Sequence, residues 1–379
     1  MEIYVVRAGD TLTLIGEMFN VSARTLSAVN EIPLTSGLVV GQTVVIPSEE
    51  RTPRRSITVS GYAYPFIETS LLRSVLPFLT YLIPFTYGIT PSGGLVDLND
   101  ETLLALSREY GTASLMHLST LTEEGGFDSA LADIVLNNAE ARQNLIQNVI
   151  SVINEKDYSG IDVDFEFIPA RNAAAYADFI AELRALLNAE GKTVTVALAP
   201  KTSSDQPGLL YEGHDYALLG AAADNVLLMT YEWGYTYGPP FPVAPIENVR
   251  AVIEYALTEI PPEKIYLGIP NYGYDWTLPF VQGESRAQSI SNVEAVDIAR
   301  ENGVEILFNE SSQSPYFNYT DSDGARHEVH FEDARSIAAK LSLIDEYSLF
   351  GAGYWNLMRP FPQNWAVLSD TFDIDEISQ

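Results

Sequence analysis

Eight β-rich runs, alternating with helical patterns, constrain this 379-residue chain more than any other feature. They fall at 57–63, 79–85, 113–118, 161–167, 193–199, 225–231, 264–269 and 349–355. Between them, apolar residues recur at helical spacing. Leu145, Val149 and Ile153 mark one stretch; Tyr176, Phe179, Ile180, Leu183 and Leu187 another; Ile246, Val249 and Ile253 a third. Each such helix has one apolar face to bury. A strand that returns through a helix comes back parallel, so the alternation predicts an α/β fold with a parallel sheet and covering helices. Eight units across residues 56–379 predict a (β/α)8 TIM barrel. A doubly wound open sheet would want a Gly-rich phosphate loop after its first strand. Gly61-Tyr62-Ala63-Tyr64-Pro65 is nothing like one.

The seventh and eighth runs lie too far apart for a single helix. Residues 274–330 contain short β-like segments at 305–308, 316–319 and 327–330, and a turn at Asp321-Ser322-Asp323-Gly324. This predicts a small α+β insertion on the barrel rim, where long loops wall a cleft. Ahead of the barrel, residues 1–48 read as strand, helix, helix, strand, a βααβ unit with its own small core. The stretch 49–55, EERTPRR, reads as a linker.

Composition narrows the function. Lys and Arg number 21 against 51 Asp and Glu, a net charge of −30. That excludes a phosphate-backbone partner and docking on anionic lipid. With no cysteine, disulfides, thiolate metal sites and a cysteine nucleophile are out. No apolar run approaches the ~18 residues of a spanning helix. The opening MEIYVVRAGDTL lacks a basic n-region and an apolar h-region, which predicts a chain without a signal peptide. Four scattered histidines form no HExxH pair, and no metal or cofactor is expected.

The chemistry concentrates in Gly160-Ile161-Asp162-Val163-Asp164-Phe165-Glu166-Phe167. On a strand, Asp162, Asp164 and Glu166 share one face; Ile161, Val163, Phe165 and Phe167 share the other. In a parallel barrel the apolar face meets the helices, so the acids point inward. Neighbouring carboxylates cannot all ionise, and at least one pKa must rise. Glu166 stands last, nearest the C-terminal mouth where barrel chemistry occurs, and suits a general acid. The pattern alone also fits a solvated edge strand or a divalent cation site.

The segment SGIDVDFEF resembles the D-G-x-D-x-D-x-E signature of glycoside hydrolase family 18. Three further landmarks follow in order: Met229-Thr230-Tyr231, Gly268-Ile269-Pro270-Asn271-Tyr272-Gly273 and Trp355. Ser159 replaces the first Asp of the signature, Phe165 a common Trp or Tyr, and Glu232 a common Asp. The resemblance implies substrate-assisted, retaining hydrolysis, in which the sugar's own acetamido group is the nucleophile. It implies Glu166 as acid/base, Asp164 as the carboxylate that holds the acetamido N–H, Asp162 behind it, and Tyr231 as donor to the acetamido oxygen. Trp355 would be the sugar floor, with Met229, Trp233, Asn271 and Tyr272 as further substrate contacts.

Residues 1–48 resemble the LysM domain through Tyr4-Val5-Val6, Gly9-Asp10-Thr11-Leu12, Asn30 and Gly41-Gln42. That implies binding of N-acetylglucosamine glycans through the loop after the first strand, Gly9, Asp10 and Thr11, and the loop before the last, Glu31, Ile32 and Pro33. LysM joined to this barrel resembles the spore cortex-lytic enzymes of endospore-forming bacteria. The resemblance implies an N-acetylglucosaminidase of spore peptidoglycan, made in the mother cell and held in the coat or cortex. Chitin is the alternative substrate, and a family 18 lectin the non-enzymatic one.

Overall fold

The computed structural model describes residues 1–48, 54–122 and 124–377. Most of the expected linker, 49–53, lies outside the described residues.

The N-terminal unit pairs Glu2–Val5 antiparallel with Thr43–Ile46, from Glu2↔Ile46 to Val5↔Thr43. Helices Leu12–Phe19 and Ala23–Asn30 cover the pair, and Thr11 and Ser22 cap them by accepting from Leu14 N–H and Thr25 N–H. Tyr4, Val6, Leu12, Ile15, Leu26, Ile32, Val44 and Ile46 form their core.

The barrel strands are Ser56–Ala63, Tyr81–Pro84, Ala113–Ser114 with Met116–Ser119, Gly160–Asp164, Thr193–Leu198, Asn225–Leu228, Ile265–Pro270 and Gly351–Trp355. All neighbours pair in parallel. The third strand closes the circle in two pieces. Ala113 and Ser114 pair with the second strand, and Met116–Ser119 with the fourth.

Two apolar layers result, as strand alternation requires. Outward residues such as Ile161, Val163 and Phe165 join helix residues such as Val149, Phe179 and Leu183 in one large core. Inward residues Tyr62, Ile83, Phe85, Leu115, Leu227 and Tyr266 fill the interior.

After the seventh strand the chain builds a five-stranded antiparallel sheet. Its order is Gln288–Ile290, Gly273–Leu278, Arg326–His330, Ser314–Thr320, Leu307–Asn309. Helix Asn292–Asn302, with a Ser291/Glu294 capping box, packs on it. The sequence pointed to three of these strands. It did not locate Gly273–Leu278, Gln288–Ile290 or the helix that its α+β reading called for.

The N-terminal unit is seated on this rim. Gln363 Nε2 donates to Asn30 Oδ1 at 2.9 Å and to Thr43 O at 2.7 Å. Ile306 N–H donates to Val40 O at 2.9 Å. At Gly41 (φ +85°) any Cβ would sit 1.8 Å from Ile306 O, so the backbones meet where only glycine fits.

Candidate active site

The fourth barrel strand ends at Asp164, three residues earlier than its sequence pattern predicted. Asp162 is fully buried in the barrel, and Asp164 and Glu166 climb toward the mouth, Glu166 on the loop beyond the strand. Phe167 does not join the apolar face. With φ +55° it enters the left-handed region and turns its ring outward, 46% exposed, into the cleft wall.

The deep end of the row is held by residues from other strands. Tyr62, from the first strand, donates its hydroxyl to Asp162 Oδ2 at 2.9 Å. His117, from the third, approaches from the side. The Thr86 hydroxyl donates to Ser119 Oγ at 2.9 Å, so its oxygen accepts from His117 Nδ1 at 2.6 Å. That assignment leaves a lone pair on Nε2, which lies 3.5 Å from Asp162 Oδ2 and 3.9 Å from Asp164 Oδ2. Burial lowers the His117 pKa to about 3, keeping the ring neutral at ordinary pH.

Every carboxyl in the row is pushed up. Burial raises Asp162 to about 7, against the Tyr62 hydrogen bond. Asp164 rises well above its ordinary value through burial, then the charges of Glu166 and Asp162. Glu166 rises through burial and then through Glu232.

Asp162 therefore opposes folding above neutrality. Its folded pKa of about 7 exceeds the ordinary 3.8, so stability falls as pH rises between those values. Asp162→Asn is expected to be more stable than the parent at pH 8, by up to about 4 kcal/mol. The gain should shrink steadily as pH falls toward 5. Thermal melts of both proteins across that range check it; a gain independent of pH would disprove the assignment.

Above the row opens a cleft of about 450 Å³, lined by Asp164, Glu166, Met229, Tyr231, Glu232, Trp233 and Trp355 together with Tyr62, Tyr64, Phe85, Phe127 and Tyr211. Trp355 meets Phe85 and Tyr62 edge-on, at centroid distances of 4.9 and 5.5 Å. Burial and the Asp164 charge push the Tyr231 phenol well up, so it stays a hydrogen-bond donor. Its ring has no slack. A Cβ on Gly268 would lie 2.9 Å from Tyr231 Cε1 and 2.3 Å from Leu228 O. Gly268→Ala is expected to push the seventh strand off Leu228 O, displace this phenol and lower kcat at least tenfold together with some loss of stability, since a 1 Å misplacement can cost ~10²-fold. Steady-state kinetics alongside circular dichroism decide it.

Glu232 (φ +66°) is clamped from the rim. It accepts hydroxyls from Tyr272 and Tyr274, the latter at 3.0 Å. Burial raises its pKa and these two phenols oppose the rise. Tyr272 thus reaches the cleft through Glu232 and does not itself line it.

Asn271 does not line the cleft. It is buried, and Nδ2 donates to Asn356 O and Arg359 O at 2.9 and 3.0 Å, pinning the loop after Trp355. The expected LysM contacts carry local structural roles. Thr11 caps its helix; Asp10 accepts from Tyr4 OH and Arg7 N–H, both at 2.7 Å; Ile32 is core on the opposite loop. Tyr62, His117 and Tyr274 escaped the sequence reading. For Tyr62 and His117 only their inward place on neighbouring barrel strands could have suggested them; Tyr274 reaches Glu232 from the insertion sheet.

A family model described as "Glycosyl hydrolases family 18" matches residues 79–359, and a LysM domain model matches 4–47. The cortical fragment-lytic enzyme of Bacillus subtilis is 41% identical, covering 99% of both chains. Its counterpart in Bacillus anthracis is 37% identical over 85% of this chain and 76% of that one. The crystal structure of the Bacillus cereus spore cortex-lytic enzyme SleL matches with TM-score 0.83 and 36% identity, covering 99% of this chain and 87% of that one. A chitinase from Chromobacterium violaceum matches at TM-score 0.78 and 26% identity, covering 83% and 99% respectively. The family match spans well over half of the chain, which therefore belongs to glycosyl hydrolases family 18 as a LysM-bearing glycosidase homologous to the spore cortex-lytic enzyme SleL.

Proposed function

We propose that this chain hydrolyses the bond that follows N-acetylglucosamine in spore-cortex peptidoglycan, acting at the spore coat or cortex. The carrying observation is the inward carboxylate row ending at Glu166, in one cleft with the Tyr231 phenol and the Trp355 ring. The substrate's acetamido oxygen attacks the anomeric carbon while Glu166 gives its proton to the leaving oxygen. Asp164 accepts from the acetamido N–H as positive charge grows, and Tyr231 donates to the acetamido oxygen. Water then opens the oxazolinium ion, returning a proton to Glu166, and the anomeric configuration is retained. Asp162, held by Tyr62, stands behind Asp164 at the deep end of the row.

A second observation shapes the substrate. Among the described residues lining the cleft there is no Lys or Arg. Such a wall suits uncharged sugars: the muramic lactam of cortex, whose carboxyl is closed into an amide, or chitin. Chitin is the second reading, supported by the likeness to the Chromobacterium chitinase.

Mass spectrometry of products from muramic-lactam cortex fragments and from N-acetylglucosamine oligomers separates the readings. Cleavage after N-acetylglucosamine in cortex fragments, with slow action on oligomers, supports the cortex enzyme. Fast cleavage of oligomers alone makes the chain a chitinase. Binding without cleavage of either makes it a lectin.

A further inference from the structure

One buried histidine stands outside the catalytic row. His214 is fully buried and lies beyond the fifth barrel strand, Thr193–Leu198. Both of its ring nitrogens are engaged. The Ala199 backbone N–H donates to Nδ1 at 2.8 Å, and Nε2 lies 2.9 Å from Phe165 O. A backbone N–H can only donate, so Nδ1 is the acceptor and Nε2 carries the proton. Nε2–H therefore donates to Phe165 O. Burial, with the Lys201 charge adding to it, lowers the His214 pKa to about 4 against the Phe165 hydrogen bond, so the ring is neutral at ordinary pH.

Phe165 is where the backbone lacks other support. The fourth strand ends at Asp164, and its pairing stops at Val163↔Val196 on one side and Asp164↔Ser119 on the other. Residues 165–168 make no backbone–backbone hydrogen bond among the described residues. Two side chains replace the missing ladder. Tyr176 OH, on helix Ala173–Asn188, accepts from Phe165 N–H at 3.4 Å, and His214 holds the carbonyl. A peptide unit is planar, so fixing Phe165 O fixes the atoms from Phe165 Cα to Glu166 Cα. The direction in which the Glu166 side chain leaves the backbone is thereby set from His214.

The histidine is itself firmly seated. Lys201 Nζ donates to His214 O at 3.0 Å, and His214 N–H donates to Tyr211 O at 3.1 Å. Tyr216 OH donates to Ala199 O at 2.6 Å and accepts from Lys201 N–H at 3.0 Å, which steadies the backbone that Nδ1 rests on. A Cβ on Gly213 would fall 2.2 Å from Ile168 O, so this segment packs directly on the loop that bears the acid.

We propose that His214 is a positioning residue for the general acid: its Nε2–H holds Phe165 O and so aims the Glu166 carboxyl at the scissile oxygen. It acts through Phe165 and does not line the cleft. The inference rests on the proposed role of Glu166.

Two variants separate the ring's two bonds. Asn places its oxygen near the site of Nδ1, so His214→Asn keeps the acceptor for Ala199 N–H and deletes the donor to Phe165 O. Gln reaches the site of Nε2, so His214→Gln keeps that donor and deletes the acceptor. Each loses one buried hydrogen bond, and the two should melt at similar temperatures. Their kinetics, on whichever glycan the parent cleaves, should differ. His214→Asn should lower kcat about tenfold or more with KM near the parent's, because a displaced acid weakens transition-state stabilisation and leaves ground-state binding alone. His214→Gln should restore most of the parental kcat. Parental kcat in His214→Asn overturns the proposal. Equal loss in both variants also overturns it, since the ring then serves packing alone.

If His214→Asn fails to fold, the parent decides. The chain has four histidines, so isotope-labelled histidine spectra resolve each ring, and His214→Gln identifies the signals of this one. A proton on Nε2 that exchanges slowly with water supports the proposal; a proton on Nδ1 overturns it. Glu166→Gln, measured alongside, separates the two readings. Parental kcat there overturns the acid assignment and this inference with it. An inactive Glu166→Gln beside a fully active His214→Asn overturns this inference alone.

Discussion

Glu166→Gln lowers kcat by about 10²–10⁴-fold, the share that a positioned general acid contributes. Oligosaccharide affinity stays near that of the parent, because Gln keeps the size and hydrogen-bonding of the side chain but has no proton to give. The pH profile carries the sharper test. Burial and the Glu232 charge hold the Glu166 pKa above its ordinary value. A general acid works while protonated, so activity should fall on the alkaline side as pH rises through that raised pKa. Glu232→Gln removes one of the two causes and should move the alkaline limb to lower pH. Kinetics across pH for parent, Glu166→Gln and Glu232→Gln would settle both points. More than a tenth of parental kcat in Glu166→Gln, or an upward shift in Glu232→Gln, would sink the assignment.

Lys340→Met destabilises the fold by about 3–5 kcal/mol, the cost of stranding one partner of a buried ion pair. Lys340 Nζ and Glu332 Oε2 lie 2.7 Å apart and both side chains are 1% exposed. Glu332 sits where the insertion rejoins the barrel, its N–H held by Asn292, so the pair ties the rim to helix Ala334–Glu346. Burial already raises the Glu332 pKa even with Lys340 beside it. Without Lys340 the carboxyl should rise further, so the loss should be greatest at high pH and diminish as pH falls and Glu332 takes a proton. The double variant Lys340→Met/Glu332→Leu should recover most of the stability, because no uncompensated charge remains. Denaturant melts of the three proteins at two pH values check this. Equal destabilisation in the single and double variants would refute it.

Much of the catalytic row was legible because strand alternation is local. Asp162, Asp164 and Glu166 are two residues apart, and a period of two fixes their common face without knowledge of any neighbour. Phe167 broke the pattern. Its left-handed backbone belongs to the loop that leaves the barrel mouth, and a period says nothing of where a strand stops. Asn271 also sits differently from expectation: it stands in a motif at a strand end, and its Nδ2 pins the backbone at Asn356 and Arg359.

The amino-acid sequence determined the class of fold and the chemical type of the site. The eight alternating runs and the acidic row are periodicities, and a periodicity is complete within its own segment. Only the tertiary structure decided which groups surround the acids. Tyr62, His117 and Asp162 come from the first, third and fourth strands, and barrel closure brings them together. Glu232 meets Tyr272 and Tyr274 because the insertion sheet folds back over the rim. The same folding sets the LysM loop against the insertion helix. Hydrogen bonds and electrostatic interactions act over a few ångströms of space, whatever the separation along the chain, so these partners follow from the packed barrel and not from any one segment.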